Sequence, residues 1–139
     1  MTTDPDALVN DYVALWNEPD PQVRAGAIRA LWTPDGGQVL QPPQELLERA
    51  TALGFPETVL EARGYAALEA RVAHAYAEFI APGEYAFVVH DAAQRVRDVV
   101  KFRWAMVSAG GGDAAAIGLD VFLLAADGRI RDDVQFIER

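Results

Sequence analysis

Cysteine is absent from this chain, which excludes disulfides, thiolate metal sites and thiol nucleophiles together and leaves the redox compartment undetermined. Lysine is almost absent: Lys101 is the only one among 12 basic residues, set against 21 acidic ones. The net charge of −9 repels phosphate backbones and anionic lipid surfaces, and no Lys/Arg cluster reverses that field locally, so nucleic-acid binding is not expected. Ser108 is the only serine and lacks both a nucleophile-elbow motif and a neighbouring histidine, which argues against a serine hydrolase. His74 and His90, the only histidines, do not have the close spacing of helical metal motifs, so neither a metal site nor a cofactor is expected. Gly110-Gly111-Gly112 reads as a hairpin turn, because a phosphate-binding loop needs a strand before it and a helix after it. No stretch approaches the ~20 apolar residues of a membrane span, and Met1 to Asp6 lack the charge and apolar core of a signal peptide. The expectation is a soluble, cytoplasmic protein.

What is present is apolar material for one core: 51% of 139 residues are hydrophobic, enough for a single domain over residues 1–139. Thr3 or Asp4 caps a first helix in which Leu8, Tyr12, Leu15 and Trp16 share a face. Asp20 caps a second helix carrying Val23, Ala27, Ile28 and Leu31. Trp32 then precedes the turn cluster Thr33-Pro34-Asp35-Gly36-Gly37, a short strand at Val39-Leu40 and a helix from Gln44 to Leu53. The longest helical segment runs from Tyr65 to Ile80, with Leu68, Val72, Ala75, Tyr76 and Phe79 on one face, and Pro82-Gly83 stops it.

From there the composition turns to Val, Phe, Ile and Trp. Glu84–His90, Arg95–Val107, Ala114–Ala125 and Arg129–Ile137 read as antiparallel strands, which together with the helices makes an α+β domain. The third strand is apolar at both parities, so both of its faces need cover. A second copy of the chain on the outer sheet face gives a homodimer; a sheet curled enough to bury both faces within one chain is the alternative.

Asp120 interrupts that strand. A carboxylate among Leu119, Val121 and Phe122 must protonate, find a cation or face a wet cavity, because desolvating its charge is costly. Lys101 and Arg103 alternate along the preceding strand. If Arg103 pairs with Asp120, the pair is structural; if aromatics flank Asp120 instead, it becomes an acid or hydrogen-bond donor, and the hairpin register decides between these. Tyr12 needs a partner for its hydroxyl, and Gln135 is polar where burial is expected. Trp16, Trp32, Tyr76, Phe87, Phe102 and Trp104 read first as core aromatics and second as ligand contacts.

The two helices ending in Trp32-Thr33-Pro34-Asp35-Gly36, the long helix after Arg63-Gly64, and the closing meander with Gly118-x-Asp120-x-Phe122 and Asp127-Gly128-Arg129-Ile130 resemble the nuclear-transport-factor-two-like superfamily, in its SnoaL-like branch. The resemblance spans nearly the whole chain. It implies a cone-shaped barrel of a strongly curved, mainly antiparallel sheet wrapped around the long helix to enclose a pocket, commonly dimeric through the outer sheet face. In SnoaL-like polyketide cyclases the position resembling Asp120 is the acid/base of an aldol closure. In ketosteroid isomerases that position and one resembling Tyr12 donate hydrogen bonds to an enolate oxygen. The isomerase base falls near Gln41, whose amide cannot remove a carbon-bound proton. The epoxide-hydrolase branch uses an arginine between two carboxylates, where this chain offers Lys101 or Arg103 and, on the last strand, Gln135.

The expected function is a small pocket protein binding an apolar, carbonyl-bearing molecule, with Asp120, Tyr12 and Arg103 as the chemical set. Trp16, Trp32, Gln41, Tyr76, Phe87, Phe122 and Gln135 are the expected ligand contacts. The alternative is a non-catalytic binding or scaffold protein in which Asp120 and Arg103 form a buried pair.

Overall fold

A computed structural model describes residues 4–41, 48, 52 and 60–138. Helix α1 (Pro5–Asn17) begins where the Asp4 carboxylate accepts from the Asp6 amide at 3.1 Å, and α2 (Pro21–Leu31) where Asp20 accepts from the Gln22 amide at 2.9 Å. Each cap occupies one of the amides that a helix start leaves without an intrahelical acceptor, and a proline follows each in the first turn. Strands β1 (Trp32–Gln41) and β2 (Leu60–Arg63) come next, then α3 (Tyr65–Ala75), which continues as a π-helical turn over Tyr76–Ile80. The chain closes with β3 (Tyr85–Val96), β4 (Val99–Ser108), β5 (Ala116–Leu124) and β6 (Ile130–Ile137).

The strands form one mixed sheet in the order β2-β1-β6-β5-β4-β3. Only β1 and β6 run parallel; the other neighbours are antiparallel. The sheet is an open one with β2 and β3 at its edges, not a closed barrel. Its inner face carries Val100, Phe102, Trp104, Asp120, Phe122, Asp133 and Gln38 onto the helices, where Leu8, Val9, Tyr12, Leu68 and Val72 complete the core. The Asn17 side chain fastens α1 to edge strand β3, donating to the Phe87 carbonyl at 2.8 Å and accepting from its amide at 2.9 Å. In this way a side-chain amide stands in for one peptide group of a missing neighbouring strand.

Beyond β2, for which the sequence reading has no strand, two elements differ from it. Strand β1 is 10 residues long, begins at Trp32 and runs through the expected turn cluster, because Gly36 and Gly37 let it approach its neighbours. A Cβ on Gly37 would lie 2.7 Å from the Ala62 carbonyl oxygen, and one on Gly36 2.9 Å from that of Ile130. The second difference concerns β3, which continues past His90 through two register shifts and turns at Arg97-Asp98. Arg97 has φ 53°, a left-handed turn without the glycine or asparagine that usually marks one. The helix expected over 44–53 falls almost wholly outside the described residues, as does most of the segment 42–63 that precedes α3.

Candidate functional site

Strand register brings three inner-face rows into line. Gln38 pairs with Asp133, which pairs with Phe122, then Val100; Leu40 pairs with Gln135, then Asp120, then Phe102; Ile137 pairs with Gly118, then Trp104. Asp120 is thus directly opposite Gln135 and diagonal to Asp133 and Trp104, while Tyr12 descends on it from α1. Asp120 and Asp133 are both fully buried.

The polar contacts form one network. Asp120 Oδ1 accepts from the Trp104 indole N–H at 2.7 Å and from Gln135 Nε2 at 3.0 Å. Its Oδ2 accepts from the Tyr12 hydroxyl at 2.8 Å and also lies 3.3 Å from Gln135 Nε2. Tyr12 Oη lies 2.6 Å from Asp133 Oδ2, and Gln38 Nε2 donates to both of these atoms, each at 3.0 Å. The Gln38 carbonyl oxygen accepts from Arg71 Nη1 at 3.2 Å, which fixes the amide with its nitrogen toward Tyr12.

Tyr12 has one proton and two carboxyl neighbours, so one carboxyl must supply the other hydrogen-bonding proton. Asp133 is that acid. Burial raises it well above the usual carboxylate range, and the nearby Asp120 charge raises it further. The consistent arrangement is a chain in which the Asp133 carboxylic acid donates to Tyr12 Oη and the Tyr12 hydroxyl donates to Asp120, which only accepts. Tyr12 stays neutral because burial, followed by the charges of Asp120 and Asp133, pushes its hydroxyl well above the usual phenol range. Four aromatic rings enclose the tyrosine, with centroids at 4.9 Å for Phe122, 5.7 Å for Trp32 and Phe102, and 5.9 Å for Trp16. In so dry a setting each hydrogen bond is strong, and each missing one costly.

A cavity of about 470 Å³ opens above this network. Of the residues singled out from sequence, Tyr12, Trp16, Phe87 and Gln135 line it. Asp120 and Phe122 do not; they lie behind the wall that Tyr12, Trp104 and Gln135 form. Trp32 is in the core, its indole donating to the Gly37 carbonyl at 3.2 Å. The Tyr76 ring packs beneath the Arg24 guanidinium at 5.0 Å, and Gln41 is an exposed residue ending β1, outside the lining.

Arg103 does not meet Asp120. Its neighbour Phe102 is the residue that pairs with Asp120, so Arg103 points to the opposite sheet face, where it bonds to Glu138 at 2.6 Å and Asp91 at 3.3 Å. Lys101 shares that outer parity. Among the described residues, Asp120 is therefore met by hydrogen-bond donors and not by a cation.

Sequence reasoning missed Gln38, Arg71 and Asp133. Asp133 had a usable signal, since it shares parity with Gln135 on β6 and should face the same way. Arg71 is one turn before His74-Ala75 on the face of α3 that lines the cavity, and the π turn brings Phe79 onto the same wall. Among the described residues no cluster of three His, Asp or Glu side chains is arranged to hold a metal ion, and no helix is long and apolar enough to cross a membrane.

No protein-family model and no curated protein sequence matches the chain. Solved structures do. A candidate isomerase of the SnoaL-like family from Agrobacterium tumefaciens superimposes with a TM-score of 0.74 at 24% identity, covering 96% of each chain. A SnoaL-like protein of unknown function from Burkholderia thailandensis gives 0.65 at 17% identity over 100% of this chain and 99% of that one. A candidate polyketide cyclase from Sinorhizobium meliloti gives 0.57 at 15% identity over 93% of each. Their agreement over nearly the whole chain shows that this chain shares the α+β fold of these proteins.

Proposed function

We propose that the cavity binds a small apolar molecule bearing a carbonyl oxygen. The observation that carries this reading is the grouping of polar atoms at one end of an otherwise apolar hollow: Tyr12, Gln38, Arg71 and Gln135 line it beside Phe79, Phe87, Met106 and Ile137. The Trp16 indole N–H adds support, being buried in the same lining without a hydrogen-bond partner among the described residues. A buried donor of this kind calls for an acceptor, and a ligand oxygen would supply one. Pockets of this size with a few converging polar groups are the usual form of small-molecule sites.

A second reading is acid/base turnover of the same carbonyl compound, as the candidate cyclase and isomerase neighbours suggest. The proton chain from Asp133 through Tyr12 favours it: Tyr12 gives its proton to the ligand oxygen while solvent water takes the proton from the carbon next to the carbonyl, Asp133 reprotonates Tyr12 from behind, and solvent returns the proton to Asp133. Asp120 would then act through Tyr12 and not by touching the ligand. An epoxide-hydrolase-like reaction has the least support, since both carboxylates lie behind the wall and Arg103 is on the other face.

Mass spectrometry of the purified protein under native conditions should reveal a co-purified apolar carbonyl compound. Incubation of that compound in D2O then separates the readings. Turnover predicts deuterium at the carbon next to its carbonyl, slowed about 10²- to 10⁴-fold by Tyr12→Phe; binding alone predicts none. Failure of any apolar carbonyl compound to bind would remove both.

We further propose a homodimer through the outer sheet face. Leu119, Val121 and Leu123 are only half-buried there, and Val88 and Phe136 are exposed.

A further inference from the structure

We propose that Arg71 is the anchor of a carboxylate, so that the ligand is an apolar monocarboxylic acid. This deepens the cavity reading above and rests on it. Arg29, Arg63, Arg103, Arg129 and Arg131 each bond to a carboxylate. Arg71, half-buried in the cavity lining, has no carboxylate partner among the described residues. Its bonds go to the Gln38 side-chain oxygen and the Gln38 carbonyl, both at 3.2 Å and both from Nη1. That leaves the edge formed by Nε and Nη2 without a partner among the described residues. This edge presents two parallel N–H groups in the fork that matches a carboxylate.

The acids whose fields reach Arg71 do not occupy its free edge. Asp133, whose field reaches Arg71, is held as the neutral acid. Tyr12, whose field reaches it as well, is held as the neutral phenol, and Glu61 is exposed and bonded to Arg63. Asp120 lies behind Tyr12, Trp104 and Gln135, which occupy both of its oxygens. The cost of half-burying an unpaired guanidinium would be recovered when an anion enters beside it, and a neutral ligand would recover less. The rest of the wall, from Leu40 to Phe79, Phe87 and Met106, suits a hydrocarbon or aromatic body and, among the described residues, offers no second cation for a dianion except His74 at the exposed margin.

The test uses displacement of the neutral fluorophore N-phenyl-1-naphthylamine by 2-naphthoic acid and by 2-naphthamide, which share shape and differ in charge. The acid should bind about 10- to 100-fold more tightly than the amide, as expected for a charge-assisted pair. That preference should fall to within about threefold in Arg71→Gln and persist in part in Arg71→Lys, with the acid losing more affinity than the amide in both variants. Equal binding of acid and amide to the unaltered protein would overturn the carboxylate anchor while leaving the cavity reading intact. A preference retained in Arg71→Gln would do the same. If the fluorophore, acid and amide all fail to bind, the cavity reading falls, and this inference with it.

Discussion

The Trp104 indole fills the space that a side chain on Gly118 would occupy: a Cβ built on Gly118 would overlap the indole's Cζ2, Cε2 and Nε1 atoms. The two residues pair across β4 and β5, and the missing Cβ lets the ring lie flat enough for its N–H to reach Asp120 at 2.7 Å. Gly118→Ala should therefore push the indole off its partner and destabilise the fold by about 2 to 4 kcal/mol. Thermal melts would measure the loss. Combined with Trp104→Phe, the cost should be clearly less than additive, since the smaller ring gives the methyl room. Strict additivity would sink the explanation.

Asp120→Asn keeps the shape but turns one acceptor into a donor. Trp104, Gln135 and Tyr12 all donate to this carboxylate, so the new N–H faces at least one of them and cannot be accommodated by flipping the amide. We expect a loss of about 2 to 4 kcal/mol in urea unfolding. An Asn variant as stable as the parent would show that the network tolerates a neutral centre, and would contradict the acceptor-only role.

Asp133 fixes the sign of a pH effect. Its folded-state pKa is raised well above 3.8, so the stability contributed by the protonated acid is complete below 3.8 and is lost as the pH rises toward the folded value. Tyr12 acts in the same direction, but only above 10.0. Urea unfolding of the parent and of Asp133→Asn, compared from about pH 4 to about pH 8, isolates the group. The parent's advantage over the variant should shrink with rising pH, by up to about 1.4 kcal/mol per unit. An advantage that grows with pH would mean that Asp133 is ionised in the folded protein.

The outer sheet face yields a prediction about assembly. Light scattering at micromolar concentration should give a dimer mass, and Phe136→Glu, at a residue 37% exposed on that face, should shift it toward the monomer without unfolding the chain. A monomer mass for the parent would remove the dimer.

Helix caps and the inner-face strands were legible because each rests on a local rule. Asp4 and Asp20 announce their helices, and the alternation around Asp120 marks a buried polar site. Its partners were not legible to the same degree. Whether Arg103 or Trp104 reaches Asp120 depends on one residue of hairpin register, and the sheet pairs Asp120 with Phe102. Gln38 could not be singled out while Gly36-Gly37 read as a turn, because its role depends on β1 lying parallel to β6, a pairing between distant segments. Asp133 sits beside Asp132, and only its shared parity with Gln135, in a register regular from Asp132 to Ile137, marks which of the two faces inward.

The parallel pairing of β1 with β6 also bears on how the molecule forms. Tyr12 and Asp133 are 121 positions apart, so the loop between them must close before their contact contributes anything. The β3-β4, β4-β5 and β5-β6 hairpins are local and can assemble early, leaving β1 and β6 each with a bare edge until they pair with one another. The hollow under α3 is consequently a late product of folding, and a chain stalled short of that step would offer two unpaired edges to its neighbours, the state in which aggregation is most to be expected.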